Sequence, residues 1–428
     1  MKSYITSKSG WLAAHSLLMA YLKEKNRLDF LVEQLPEGFP SIERRRCYHV
    51  LFGVVRNLFF LEEALKCNLK KKPKPALQAL MLLASFELWT SEKPAAAIVH
   101  YSVEQAKKMV SRAEVGLVNA VLRRLPEVFA KMEEVELGDL KALSLRYSHP
   151  LWLLERWDKE FGRNELISLL QWNQEPAKVY GRVVGDREEG VFDGVDYLKQ
   201  TEWPSFYQVT GSSWECVKSE IKAGRLYLQN PATRLAVELL DPKSGEMILD
   251  LCAAPGGKSL QLAERVGSGR VVSVDLPGRR IKRMRGNFER YAALPLSILE
   301  ADVLELKPKV LREAGAPQLF DGVLIDVPCS NTGVLQHRVD AKWKLSSSAI
   351  GVLAELQTKM LESAARFVKP GGRIVYSTCS IEREENLSVV EAFVEESQGL
   401  FSLKKRETSF PWKTKHDGAG AFLLHKAG

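Results

Sequence analysis

Two hydrophobic rhythms divide this chain. Over residues 1 to 127, apolar positions recur at helical spacing, with Trp11, Ala14, Leu18 and Tyr21 in one run and Val50, Val54, Leu58 and Leu61 in another. Steps of three and four put such residues on one face of a 3.6-residue helix, so this region reads as all-helical. Pro73, Pro75 and Pro94 fall where helices should start or stop, because proline lacks the N–H that a helix interior needs. The charged run after Pro126 reads as a connection leading out of the helices.

From Asp241 the rhythm changes. MILDLCA, RVVSVDL, LSILEAD, DGVLIDV and GRIVYST are short, β-branched apolar runs, and between several of them lie helical stretches such as SLQLAERV and AIGVLAELQTKMLESAARFV. Strand alternating with helix predicts a parallel, doubly wound α/β sheet covered on both faces. Residues 141–240 mix short helical and strand patterns and hold Trp152, Trp157, Trp172, Trp203 and Trp214. Most of these tryptophans are expected in the core or at a junction, with one or two available as base-stacking platforms. The predicted class is α plus α/β: an all-helical domain over 1–127, a small α+β subdomain over 141–240, and a Rossmann-like domain over 241–428.

Composition narrows the setting. With 428 residues, 45% of them hydrophobic, the chain can bury two or three separate cores. MKSYITSKSGW lacks the apolar run of a secretory signal, and ALQALMLLASFELW is too short and interrupted to span a bilayer. The six cysteines show no CxxC and no Cys/His ligand spacing, which argues against a disulfide framework and against a bound metal. A reducing cytoplasm is the expected location. The net charge of +8 is concentrated in RRR (44–46), KKKPK (70–74) and GRRIKRMR (278–285), which favours a polyanion as partner over a membrane.

The candidate chemistry sits at the ends of the predicted strands. CAAPGGKS (252–259) follows the first of them, and its small residues with Gly256 and Gly257 let backbone approach a ligand at a helix start. Asp275, closing the next strand, stands where a doubly wound fold grips ribose hydroxyls, and Asp302 closes the third where an adenine amino group can be read. The loop matches neither a phosphate-binding GxxxxGK[ST] nor GxGxxG, so the pattern leans to S-adenosylmethionine rather than a dinucleotide. DVPCSNTG (326–333) and YSTCS (376–380) each end a strand with a cysteine, placing Cys329 and Cys379 at one edge of the sheet beside Asp326. Carbon 5 of a pyrimidine is too weak a nucleophile to take a methyl group unaided. A thiolate adding to carbon 6 makes the ring an enamine and activates carbon 5, after which a base must remove the carbon 5 proton. Asp326 is placed to hydrogen-bond the ring as charge develops.

CAAPGGK, DVPCSNTG and STCS–EREEN resemble the cofactor loop and the two cysteine motifs of the RNA 5-methylcytosine methyltransferases of the NOL1/NOP2/Sun family. The resemblance implies that Cys379 is the nucleophile and that Cys329 assists proton removal and product release. It further implies that the stretch Cys252, Ala253, Ala254, Pro255, Gly256, Gly257 and Lys258, together with Asp275, Asp302 and Asp326, contacts cofactor or base, and that Arg280 contacts cofactor. ERRRCYHVLFGVVRN and GLVNAVLRRL are similar to the NusB-like, RNA-binding helical domain of the bacterial RsmB-type (Fmu/Sun) group, which implies small-subunit (16S) ribosomal RNA as the partner. Gln229–Asn230, Val327, Asn331 and DGAGAF depart from the usual QD, DAPCSGTG and DGFF patterns. The rival readings are the same chemistry on tRNA and a non-catalytic, antitermination-like RNA-binding factor. Pure binding needs neither thiol.

Overall fold

The computed structural model describes residues 7–24, 26–185, 190–211 and 213–428; the first six residues of the MKSYITSKSGW stretch lie outside them. The chain divides into two compact units, Met1–Glu175 with Leu335–Lys344, and Pro176–Val334 with Leu345–Gly428. The cut at 175/176 falls inside the stretch 141–240 that the sequence presents as one subdomain.

The first unit is helical among the described residues, as the periodicity of 1–127 predicts, and its 141–175 part, read as mixed helix and strand, forms helices only. Trp11, Leu17 and Leu18 from helix Gly10–Glu24 are fully buried with Val54 from Ser41–Arg56 and Leu80 from Pro75–Thr90. Pro75 opens its helix, where a missing N–H costs nothing. Pro126 behaves differently from the expected exit. Helix Arg112–Glu133 starts on a Ser111–Glu114 capping box and runs through Pro126 to Glu133. Past the proline, buried Phe129 stacks on Phe60, and Trp89 Nε1 donates to Glu133 at 2.8 Å, so tertiary contacts offset the one lost backbone bond. Trp157 and Trp172 are buried and Trp152 half-buried in this unit, in line with a core role.

A segment from late in the chain completes this unit. In Leu335–Lys344, Lys342 Nζ donates to Arg56 O (2.9 Å), Trp343 Nε1 to Val55 O (2.8 Å) and Gln336 Nε2 to Trp172 O (2.7 Å). Burial pushes the Lys342 ammonium well below the usual lysine range.

The second unit carries two sheets. Strands β1 (Tyr180–Val183), β2 (Leu198–Gln200), β3 (Phe206–Val209) and β4 (Leu226–Leu228) form a small antiparallel sheet in the order β2-β3-β1-β4. The larger sheet contains β5 (Met247–Leu251), β6 (Arg270–Asp275), β7 (Leu296–Glu300), β8 (Phe320–Asp326), β9 (Val368–Thr378), β10 (Phe401–Ser409) and β11 (Ala419–Lys426). Its order is β10-β11-β9-β8-β5-β6-β7, parallel from β9 through β7 and antiparallel across the β9–β11–β10 edge. The predicted Rossmann-like core is therefore present. Its central strands are buried along nearly their whole length, which is why MILDL and DGVLID read as unbroken apolar runs.

Candidate active site

Strand β5 lies between β6 and β8, so the chain order reverses at this strand. In open α/β sheets the crevice beyond the carboxyl ends at such a reversal is where ligands bind. The residues after β5 make a tight turn at this crevice. Cys252 (φ 59°) and Gly256 (φ 99°) both adopt left-handed backbone conformations, and helix Gly257–Val266 begins immediately afterwards. A Cβ on Gly256 would lie 2.5 Å from the Phe288 ring, so only glycine fits there. Burial raises the Cys252 thiol above its ordinary value, which suits a lining residue rather than a nucleophile.

The predicted acids sit around this turn. Asp275, the last residue of β6 and 5% exposed, accepts from Ala254 N and Leu276 N, each at 2.8 Å, and so ties the end of β6 to the loop after β5. Arg280 donates to Ala254 O and lies 3.8 Å from the Asp275 carboxylate. Asp302 lies two residues beyond β7, exposed, with Oδ1 accepting from Leu304 N at 2.9 Å. Asp326 closes β8, and its Oδ2 lies 2.6 Å from Lys258 Nζ. Burial alone would lower the Lys258 pKa, but the carboxylates of Asp326 and Asp250, with Cys379, outweigh it and hold the ammonium above the usual lysine value.

Strands β8 and β9 are parallel neighbours, and the two cysteine loops leave them side by side. Cys329 Sγ and Cys379 Sγ are 2.8 Å apart, both part-buried. Asn331, at φ 64°, donates from Nδ2 to Cys329 O at 2.8 Å, while its Oδ1 lies 3.5 Å from Cys379 Sγ. Gly333 N donates to Cys379 O at 3.1 Å, and a Cβ at that glycine would lie 2.8 Å from the same oxygen. The hydrogen bond to Cys379, then burial, raises the Cys329 thiol well above its ordinary value, and the Glu385 charge adds to this. The structure thus gathers Lys258, Asp326, Cys329 and Cys379 into one cluster and places Asp275 and Arg280 at the adjoining turn. Asp302 stands apart on the loop beyond β7.

Two residues were not singled out from the sequence. Glu385, within the quoted EREEN, is fully buried beneath both cysteine loops. Asp250, two residues before Cys252 in MILDLCA, is also fully buried; Oδ2 accepts from Ser259 Oγ at 2.5 Å, while Oδ1 has no hydrogen-bond partner among the described residues. An acid inside an apolar strand was the available signal. Burial pushes the Asp250 carboxyl up to about 7, against the opposing pull of Ser259 and Lys258. A carboxyl whose folded value exceeds its unfolded one holds extra protons in the folded state, so its contribution falls as pH rises from about 4 towards 7. Asp250→Asn is therefore expected to stabilise the protein at pH 8 relative to pH 5, the gain growing by about 1.4 kcal/mol per pH unit within that window. Thermal melts of both proteins across this range check it; a gain independent of pH would contradict the assignment.

Comparison with known proteins identifies the family. Residues 237–418 match the family model described as 16S rRNA methyltransferase RsmB/F, and residues 11–127 match the NusB family. The chain is 31% identical over 403 residues to the probable ribosomal RNA small subunit methyltransferase B of Bacillus subtilis, covering 89% of this chain and 87% of that protein. It is 32% identical over 360 residues to ribosomal RNA small subunit methyltransferase B of Vibrio cholerae, covering 81% and 80%. The chain belongs to the RsmB family. The solved structure of PH0851 superposes with a TM-score of 0.78 at 24% identity, covering 99% of both chains, and shows the same fold.

As an RsmB-family member, the chain is an RNA cytosine-5 methyltransferase that uses S-adenosylmethionine. The turn after β5 fits that group. Gly256 allows the tight left-handed turn against Phe288, Asp275 supplies a carboxylate at the end of β6, and Asp250 holds an acceptor oxygen with no donor among the described residues. No helix among the described residues is long and apolar enough to cross a membrane, and none of their His, Cys, Asp and Glu side chains cluster to hold a metal.

Proposed function

We propose that this protein methylates carbon 5 of a cytosine in 16S ribosomal RNA through a bond between Cys379 and carbon 6. The observation that carries the reading is the pair of sulfurs 2.8 Å apart at the ends of β8 and β9, with the Lys258–Asp326 pair alongside. S-Adenosylmethionine, when bound, supplies an electrophilic methyl group; we assign its site to Cys252 through Lys258, with Asp275, Arg280 and Asp302. Cys379 adds to carbon 6 as the nucleophile of a covalent step. Asp326, held by Lys258, hydrogen-bonds the ring as charge builds on it. Cys329, as a thiolate, takes the carbon 5 proton and becomes a thiol. The electrons of that carbon–hydrogen bond re-form the double bond between carbons 5 and 6, and Cys379 leaves carbon 6 as a thiolate. The surroundings that raise the Cys329 thiol make its thiolate a strong base.

The target base has to leave its stack to reach sulfurs at the end of a sheet, which favours a cytosine in a loop or junction. The basic clusters at 70–74 and 278–285 are largely exposed, and Arg45 is exposed between the half-buried Arg44 and Arg46; these clusters supply phosphate contacts. The first unit, with its NusB-family match, is assigned to RNA binding, and the enzyme to the cytoplasm, where ribosomes assemble. Bisulfite sequencing of total RNA from a deletion strain tests the substrate. One protected cytosine in 16S RNA is expected to become convertible, and to be protected again on complementation. Unchanged 16S RNA with a new convertible position in a tRNA would replace the substrate named here.

A further inference from the structure

The polar network beneath the cysteine loops is more extensive than holding two turns requires. Glu385, 0% exposed, lies in the loop before helix Leu387–Glu396. Its Oε1 accepts from Ser330 N (2.8 Å) and from Gln357 Nε2 (2.9 Å). Its Oε2 accepts from Ser380 Oγ (2.5 Å) and from Ser330 Oγ. Ser330 directly follows Cys329 and Ser380 directly follows Cys379, so one carboxylate grips both loops one residue past each sulfur. All four contacts are donors, as a carboxylate requires.

The surroundings fix the carboxylate in turn. Gln357 also donates to Pro328 O at 2.9 Å, on the near side of Cys329. Tyr376 Oη donates to Glu385 O at 2.6 Å and lies 3.2 Å from Gln357 Oε1. Thr332 Oγ1 stands 3.2 Å from both Ser330 Oγ and Ser380 Oγ. Asn386 accepts from Thr378 Oγ1 at 2.7 Å and donates to Ser380 O at 2.9 Å. A fully satisfied buried network of this kind specifies one arrangement, because any shift leaves a buried donor or acceptor unpaired at a cost of about 1–3 kcal/mol.

We propose that Glu385 is a positioning residue whose carboxylate, bridging Ser330 and Ser380, sets the spacing of the two cysteines so that both act on one cytosine. It touches no reacting atom. Without the bridge, each loop keeps its strand but the sulfurs lose their register, and a misplacement of about 1 Å at a reacting group is worth about 10²-fold in rate. The proposal rests on the two-thiol reading above.

The test compares Glu385→Ala, Glu385→Gln and Ser380→Ala in the full chain. Glutamine keeps the length and one acceptor, and its amide can donate to the two hydroxyls, which reverse to accept, so it restores the bridge without the charge. Glu385→Ala is expected to lower kcat about 10²-fold while KM for RNA and Kd for S-adenosylmethionine change less than about 3-fold; Glu385→Gln should recover to within about 10-fold of the parent. Ser380→Ala, which removes one arm of the bridge together with the acceptor for Glu382 N, should fall between them and decides the matter if Glu385→Ala does not fold. A second readout needs no RNA: diamide takes two electrons and two protons from the thiol pair, and the rate of Cys329–Cys379 disulfide formation reports their placement. That rate is expected to drop in Glu385→Ala and Ser380→Ala and to return in Glu385→Gln. Parent-like kcat and disulfide rates in folded Glu385→Ala and Ser380→Ala would overturn the proposal, as would Glu385→Gln as impaired as alanine. Because the disulfide arm involves no methyl transfer, a failure of the positioning role is separable from a failure of the two-thiol mechanism.

Discussion

Replacing Cys379 by alanine is expected to abolish methyl transfer and covalent capture of RNA together, lowering turnover by about 10⁴-fold or more. Without that sulfur nothing adds to carbon 6, and carbon 5 stays a poor nucleophile. Cys329→Ala is expected to behave in the opposite way. Attack on carbon 6 remains open, but the carbon 5 proton is lost slowly, and elimination of the sulfur waits on that loss. Turnover falls by about 10²–10⁴-fold, as for loss of a general base, and a protein–RNA adduct that survives denaturing electrophoresis accumulates. The charges around the two sulfurs support this division of labour. Lys258 lies within electrostatic reach of Cys379, whereas the surroundings of Cys329, the Glu385 charge among them, raise its thiol well above the ordinary value and so make its thiolate the stronger base. Electrophoresis of the two variants with RNA checks both outcomes. An adduct in Cys379→Ala and normal turnover in Cys329→Ala would exchange the assignments.

The Lys258–Asp326 pair should matter next most. Lys258→Met leaves Asp326 without the ammonium 2.6 Å away that orients it, and leaves Cys379 without its nearby positive charge. The loss in kcat is expected to be about 10²–10³-fold, comparable to removing one preorganised electrostatic partner. Asp326→Asn should cost a similar amount, and the double variant little more than either single one, because both members act through the same geometry. Steady-state kinetics of the three variants form the test; fully multiplicative losses would mean that the residues act independently. The sign of the Lys258 shift also fixes its pH behaviour. With a folded value above the unfolded 10.5, the stabilisation is fully present below 10.5 and is lost only as pH rises through the folded value. Between pH 6 and 9, therefore, Lys258 contributes no inflection to the rate profile.

The parts of this site that the sequence made visible share one property. Lys258, Asp275, Asp326, Cys329 and Cys379 all lie at or just past the carboxyl ends of parallel strands, and those strands announce themselves as apolar runs. Strand order brought them together, and alternating strands and helices predict that order. The helical unit was legible for a similar reason, since Trp11, Leu18 and Val54 mark buried faces at steps of three and four.

What stayed hidden depends on partners distant in sequence. The helix carrying Pro126 continues because Phe129 and Glu133 find Phe60 and Trp89, which no local pattern indicates. The Leu335–Lys344 segment joins helices formed some 280 residues earlier through Lys342 and Arg56, and a polar stretch after the DVPCSNTG loop gives no hint of that. Glu385 stands in EREEN among charged neighbours, and nothing in that run marks it as the carboxylate that bridges Ser330 and Ser380. Asp250 is the intermediate case: its position within an apolar strand was visible, while the absence of a partner for Oδ1 appears only in three dimensions.

The covalent bond to Cys379 is the claim on which the rest depends, and mass spectrometry of a trapped complex tests it most directly. A 16S transcript made with 5-fluorocytidine, incubated with the enzyme and S-adenosylmethionine, holds the thioether because fluorine cannot leave carbon 5 as a proton does. After nuclease and protease digestion, the nucleotide mass is predicted on the peptide containing Cys379 and on no other. The same mass on the Cys329 peptide, or methylation of ordinary RNA by an enzyme that never forms the adduct, would contradict the account.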